Sequence, residues 1–183
     1  MTSYALLGLL TFGDELTGYE LKQRADNTLR FYWVAPAMSQ VYTELARLTE
    51  ARLVRRRGEG RGTTYSLTAK GRRTLERWMR ETPAGFPVFK HPVALRLMMG
   101  HLSDAGTIRA MLEEYVAEVT AARADLARVR TGLEAADAPG EVFHHPSMVA
   151  EWGLAHFDSE LAITARLLAQ LAVEESARAS STG

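Results

Sequence analysis

The chain has 183 residues, 46% of them hydrophobic and 24% charged, with no cysteine. It is long enough to close a core as one domain or two small ones, which excludes general disorder, disulfide scaffolds, thiolate metal sites and cysteine nucleophiles. The formal net charge of zero hides a division: residues 1–80 carry 14 basic and 8 acidic side chains, net +6, and residues 81–183 carry 8 and 14, net −6. A basic half joined to an acidic half is the pattern of a polyanion-facing module on a module that binds none.

Tyr4–Phe12 is apolar but lacks a basic lead, and Asp14-Glu15 follow it. It reads as a buried helix rather than a secretory signal, and no apolar run reaches the roughly 18–20 residues of a membrane span. A cytoplasmic protein is expected. Thr17 opens a second helix, with Glu20 three residues on as a capping box requires, and with Tyr19, Leu21, Ala25 and Leu29 as its apolar side. Pro36 precedes a third helix, about Met38–Ala51, on which Val41, Leu45 and Leu48 form a buried stripe. Its opposite side carries Ser39, Thr43, Ala46 and Arg47, flanked by Gln40 and Tyr42.

Leu53–Arg57 and Thr63–Leu67 are β-prone runs around the glycine-rich turn 58–62, a hairpin. Thr68 caps a fourth helix to about Thr82, with Leu75, Trp78 and Met79 as contacts. Residues 83–92 hold three of six prolines and read as a connector, followed by a short apolar helix over Pro92–His101. Ser103 starts a long helix to about Ala136, with Ile108, Met111, Tyr115, Val119, Ala122, Leu126, Val129 and Leu133 near a 3.5-residue spacing. After a break at Asp137–Pro146, Ser147 caps a last long helix to about Ala177.

The expected fold is mainly α: an N-terminal winged helix-turn-helix with a two-stranded wing, then a C-terminal region of long helices. The boundaries are 1–82 for the winged domain, 83–102 for connector and short helix, 103–177 for a helical dimerisation domain and 178–183 for a frayed tail. A major groove admits one helix, while the preceding helix and the wing brace it on the backbone. On the third helix Arg47 suits guanine, Gln40 adenine and the Thr43 methyl a thymine. Arg55, Arg56, Arg57 and Arg61 in the wing are spaced for phosphates. Taken singly, an exposed polar face or an arginine run is more often merely solvated; their order along eighty residues is more specific.

These stretches resemble the PadR family of bacterial transcriptional regulators. The resemblance lies in Tyr4-Ala5-Leu6-Leu7-Gly8-Leu9-Leu10, Leu16-Thr17-Gly18-Tyr19-Glu20-Leu21, Ser39-Gln40-Val41-Tyr42-Thr43-Glu44-Leu45 with Arg47-Leu48, and Gly62-Thr63-Thr64-Tyr65-Ser66-Leu67-Thr68-Ala69-Lys70-Gly71. The two-helix remainder is similar in arrangement to the longer subgroup, whose C-terminal helices make the dimer. The resemblance implies a homodimer on a roughly palindromic double-stranded DNA operator, most often as a repressor. It implies that Ser39, Gln40, Tyr42 and Thr43 face the groove or adjacent phosphates, and that Thr63, Tyr65 and the wing arginines reach the backbone. Tyr19 and Glu44 also match family positions; they read as structural, Tyr19 on a core-facing side and Glu44 at the border of the buried stripe.

In the acidic half, Leu154, Phe157, Leu161, Thr164, Leu168 and Leu171 repeat the 3.5-residue spacing, and the leucines with Phe157 are the candidate dimer interface. Met148, Trp152, Ala155 and Ile163 lie off that seam, and a second chain is the simple way to bury them. Met98, Met99, Trp152 and Phe157 could line a pocket for an apolar or aromatic effector, against the plainer reading that they are core. His144-His145, His156, His91 and His101 fit no metal-ligand spacing, and no cofactor is expected. Neither a G-x-S-x-G elbow nor a phosphate-cradling loop in its proper context is present, so an enzyme is not expected. The rival is a winged helix that binds protein, against which the charge division and the arginine wing weigh.

Overall fold

The chain divides into two units, Met1–Phe86 and Pro87–Gly183. The computed structural model describes residues 1–13, 15–86 and 90–181, and all their side chains but those of Arg61 and residues 178–181.

In the first unit the leucine-rich start forms α1 (Thr2–Leu9), which tightens into a 3-10 turn over Leu10–Phe12. β1 (Leu16–Thr17) leads directly into α2 (Gly18–Thr28). Both halves of the Thr17 capping box form: Thr17 Oγ1 accepts from Glu20 N at 3.2 Å, and Thr17 N donates to Glu20 Oε2 at 2.7 Å. After α3 (Met38–Glu50) come β2 (Val54–Arg57), a 3-10 turn over Gly60–Gly62, β3 (Thr64–Leu67) and α4 (Ala69–Glu81). The wing sheet has three strands in the order β1-β3-β2, not two. β1 adds to the hairpin antiparallel, with Leu16 opposite Tyr65 and Thr17 opposite Thr64.

Leu6, Leu7, Leu10, Leu21, Ala25, Val41, Leu45, Leu48, Val54, Tyr65 and Leu75 form one core. Burying each such leucine contributes roughly 1.5–3 kcal/mol relative to exposure. The α3 stripe of Val41, Leu45 and Leu48 lies wholly inside it, which turns the opposite face of α3 outward. Tyr19 does not join this core. It is 58% exposed, because two residues along a helix is about 200° of rotation from Leu21. Met79 is likewise exposed, leaving Leu75 and Trp78 as the covered side of α4.

α3 ends in a Schellman arrangement: Leu53 N donates to Leu48 O and Arg52 N to Thr49 O, both at 2.9 Å. The left-handed position is held by Arg52, with φ +60°, where glycine is usual. Side chains from the start of α4 satisfy the remaining carbonyls. Thr68 Oγ1 donates to Arg52 O and Leu53 O at 2.9 and 3.0 Å, and Lys70 Nζ donates to Ala51 O at 2.8 Å.

In the second unit, α5 (Pro92–Met98) and a 3-10 turn over Gly100–Leu102 precede α6 (Ala105–Leu133), a further 3-10 turn over Glu134–Ala136, and α7 (His144–Ser181). α6 is capped by Asp104, whose Oδ1 accepts from Thr107 N at 2.8 Å, one residue past the expected Ser103. Ser147 is not a cap. α7 begins three residues earlier because Pro146 falls in its first turn, where the missing N–H costs nothing. Ser147 is instead buried and donates to Asp137 Oδ2 at 3.1 Å. α6 and α7 run antiparallel, tied by Arg109–Glu175, Tyr115–Glu160, Arg123–Asp158 and Arg130–Glu151. Leu112, Val119 and Leu126, seven residues apart, are the buried row of α6, and α7 buries Ala150, Glu160 and Thr164. α7 extends to Ser181, past the expected end at Ala177; residues 182–183 lie outside the described residues.

Candidate nucleic-acid interface

The outward face of α3 presents Ser39, Gln40, Tyr42, Thr43, Ala46 and Arg47, all exposed. Several of these side chains already have partners. Gln40 Oε1 accepts from Ala37 N at 3.0 Å, closing the start of the helix and leaving its amide N–H groups free for a ligand. Thr43 Oγ1 donates to Ser39 O at 2.9 Å, which commits its proton within the helix. The Tyr42 ring lies over the start of α2: a Cβ on Gly18 would stand 2.5 Å from it.

Arg47 is the most constrained. Its Nε and Nη2 donate to Glu44 Oε2 at 3.3 and 2.9 Å, and Nη2 also meets Ser3 Oγ from α1. Ser3 Oγ in turn donates to the same Glu44 oxygen at 2.7 Å. The hydrogen bonds from Arg47, then that from Ser3, hold the Glu44 carboxyl below its ordinary range, and Glu44 holds the guanidinium above its own. Thr2, Ser39, Gln40, Thr43 and Glu44 line a shallow concavity of about 210 Å³ on this side. Ser3 and Glu44 were not among the expected contacts. The Glu44–Arg47 spacing is legible as an i, i+3 pair, whereas Ser3 lies 41 residues from Glu44 and no local pattern joins them.

On the wing, Val54 is buried while Arg55, Arg56 and Arg57 are exposed. The turn uses Gly58 at φ +82° and Gly60 at φ +61°, conformations that a side chain would strain. Arg57 pairs with Glu15 at 3.2 Å, and Glu15 also accepts from Thr64 Oγ1 at 3.0 Å. Arg55 and Arg56 have no side-chain partner among the described residues; the Arg61 side chain lies outside them. Thr63 and Tyr65, expected at a DNA backbone, are both largely covered within the unit. Tyr65 is only 8% exposed and belongs to the core, since β3 turns it inward with Leu67. Thr63 is buried, and its hydroxyl donates to Gly60 O at 2.9 Å to close the turn.

In the second unit the five expected interface residues, Leu154, Phe157, Leu161, Leu168 and Leu171, are each half-buried within one chain. Met148, Trp152, Ala155 and Ile163 are exposed, Trp152 by 68%. Met98, Met99 and Trp152 are exposed and Phe157 is half-buried. A cavity of about 320 Å³ lies over Pro92, Val93, Arg96, Met111, Glu114, Tyr115 and Glu118. Behind it, His91 caps α5: its Nδ1 accepts from Ala94 N at 3.2 Å, so Nε2 carries the proton and donates to Glu160 Oε2 at 3.1 Å. Tyr115 Oη donates to the same oxygen at 3.0 Å, and burial followed by that hydrogen bond pushes its ionisation far above the usual range. Among the described residues no three His, Asp or Glu side chains converge on a metal site, and no helix is long and apolar enough to cross a membrane.

Solved structures are similar over nearly the whole chain, among them the following three. A PadR-like transcriptional regulator from Bacillus cereus superposes with a TM-score of 0.79 at 21% identity, covering 95% of this chain and 99% of that one. PadR from Bacillus subtilis in complex with operator DNA gives 0.78 at 22% identity, covering 93% and 98%. The same protein in complex with p-coumaric acid gives 0.76 at 22%, covering 92% and 97%. No curated protein matches the chain in sequence. Residues 6–77, from α1 into α4, match the transcriptional regulator PadR-like family. Residues 6–77 are thus similar to the transcriptional regulator PadR-like family, and the three structures share the fold of nearly the whole chain.

Proposed function

We propose that this protein is a sequence-specific DNA-binding transcriptional regulator. One observation carries the reading: the small, polar, exposed face of α3 stands beside a wing whose Arg55 and Arg56 have no side-chain partner among the described residues. The wing arginines contact phosphates and supply most of the affinity, while Ser39, Gln40, Thr43 and Arg47 meet base edges, with Tyr42 at the flanking backbone. The exposed apolar side chains of α7 are covered by a second copy. Twofold symmetry then sets two α3 helices about 34–36 Å apart on a palindromic site. Bound at a promoter in the cytoplasm, the dimer excludes polymerase and represses. The complex of the Bacillus subtilis relative with p-coumaric acid supports release by a small aromatic effector here, with the cavity over α5 and α6 as the place that has room for it.

The test is a titration of the purified protein against the duplex upstream of its own gene, beside a scrambled duplex, at two salt concentrations. Tight, salt-dependent binding that favours the native duplex is expected. No binding even at low salt would sink the reading and put a protein-binding winged helix in its place.

A further inference from the structure

We infer that Glu44 and Ser3 are positioning residues for base recognition, holding the Arg47 guanidinium by its Nε–Nη2 edge so that Nη1 is the end offered to the groove. The inference rests on the reading of α3 as the recognition helix.

The contacts are one-sided. Nε and Nη2 both reach Glu44 Oε2, Nη2 also meets Ser3 Oγ, and Ser3 Oγ donates to that same oxygen. A guanidinium is planar with its five donors in a fixed fork, so holding one edge fixes the direction of the other end. An exposed i, i+3 pair alone would be a weak restraint that swings with its side chains. Here the carboxylate is itself anchored from a different helix, α1, and its side chain is only 22% exposed against 58% for Arg47.

Charge gives a second reason. A carboxylate on a surface that meets DNA repels phosphates and lowers affinity for every sequence. Specificity is a difference of affinities, and a group that weakens unspecific binding while orienting a base-reading donor widens that difference. Without Glu44, Arg47 is a free cation able to settle on any nearby phosphate.

The experiment selects duplexes from a random library with the full-length protein and with Arg47→Ala, Glu44→Ala, Glu44→Gln and Ser3→Ala. The selected site and a scrambled duplex are then titrated at two salt concentrations. Arg47→Ala is expected to lose base preference at a particular position of the site. Glu44→Ala should lose preference at that same position while binding the scrambled duplex more tightly. Its ratio of specific to scrambled affinity should fall roughly tenfold, the size of one base contact. Glu44→Gln, which keeps an acceptor in place, should retain part of the preference, and Ser3→Ala should lose less than Glu44→Ala. Equal tightening on both duplexes with the preference intact in Glu44→Ala overturns the inference and leaves Glu44 as a general brake on affinity. A wild-type protein that selects no sequence overturns the DNA-binding reading itself, which is a separate result.

Discussion

The ring of Tyr4 on α1 stacks on that of Trp78 on α4, with centroids 4.7 Å apart and planes within 10° of parallel. The pair joins the first and last helices of the winged unit, and both rings pack against its core. Trp78→Ala should cost about 2–3 kcal/mol by lost area and the cavity left, and Trp78→Phe clearly less. Urea unfolding of the two variants followed by circular dichroism distinguishes them; equal losses would mean that the stack contributes nothing beyond volume.

Gly71 is fixed by a different constraint. A Cβ there would stand 2.1 Å from Leu53 O, a backbone atom that cannot swing aside. Gly71→Ala must push α4 away from the base of the wing, and a loss of about 2–4 kcal/mol is expected. A melting temperature unchanged from wild type would refute the close approach.

Arg52 offers the opposite case. With φ at +60° it strains a position that glycine occupies freely. Arg52→Gly should stabilise the winged unit by about 0.5–1 kcal/mol. The check is the denaturation midpoint, and a shift to lower denaturant would contradict it.

Among the wing cations, Arg55 and Arg57 should not be equivalent. Arg57 is already paired with Glu15, so any phosphate it meets replaces an existing partner, whereas Arg55 has none among the described residues. Arg55→Ala is therefore expected to weaken binding to all duplexes more than Arg57→Ala does, and to lower the slope of log affinity against log salt by roughly one. Anisotropy titrations across salt concentrations measure both quantities.

Glu160 in the second unit accepts from His91 and Tyr115. Tyr115→Phe removes one of them and should cost about 1–2 kcal/mol. Burial, followed by the hydrogen bond to Glu160, raises the Tyr115 phenol above its ordinary value of 10.0, so the unfolded chain loses that proton first. The stability from this shift is complete below pH 10 and declines as pH rises from there towards the folded value. Above pH 10, wild-type stability should fall more steeply with pH than that of Tyr115→Phe; parallel slopes would remove Tyr115 from the account.

How far these features can be read in the chain depends on how local their causes are. The Thr17–Glu20 box and the Val41, Leu45, Leu48 stripe are set by neighbours within a turn or two, and both stand where periodicity and capping place them. The stretches over residues 4–71 that resemble the PadR family carry the winged fold in the sequence. β1 is not legible, since two residues carry no alternation and their partners, Tyr65 and Thr64, lie far along the chain. Tyr19 counts as apolar in the pattern of α2, yet its angular distance from Leu21 turns it to solvent. Pro146 reads as a break, yet a first helical turn tolerates it. The restraint on Arg47 was half visible: Glu44 sits three residues away, while Ser3 reaches the pair only once α1 has folded against α3.

Thr68 Oγ1, donating to Arg52 O and Leu53 O while accepting from Gly71 N at 3.0 Å, knots both ends of the hairpin together at its root. The segment between Arg57 and Thr64 is thereby relieved of any part in holding the core. It can grow or shrink at little more than the cost of closing a longer loop, about 0.6 kcal/mol for each doubling. The tip of the wing is thus free to be retailored to a wider or narrower stretch of ligand while the helix beside it keeps its place.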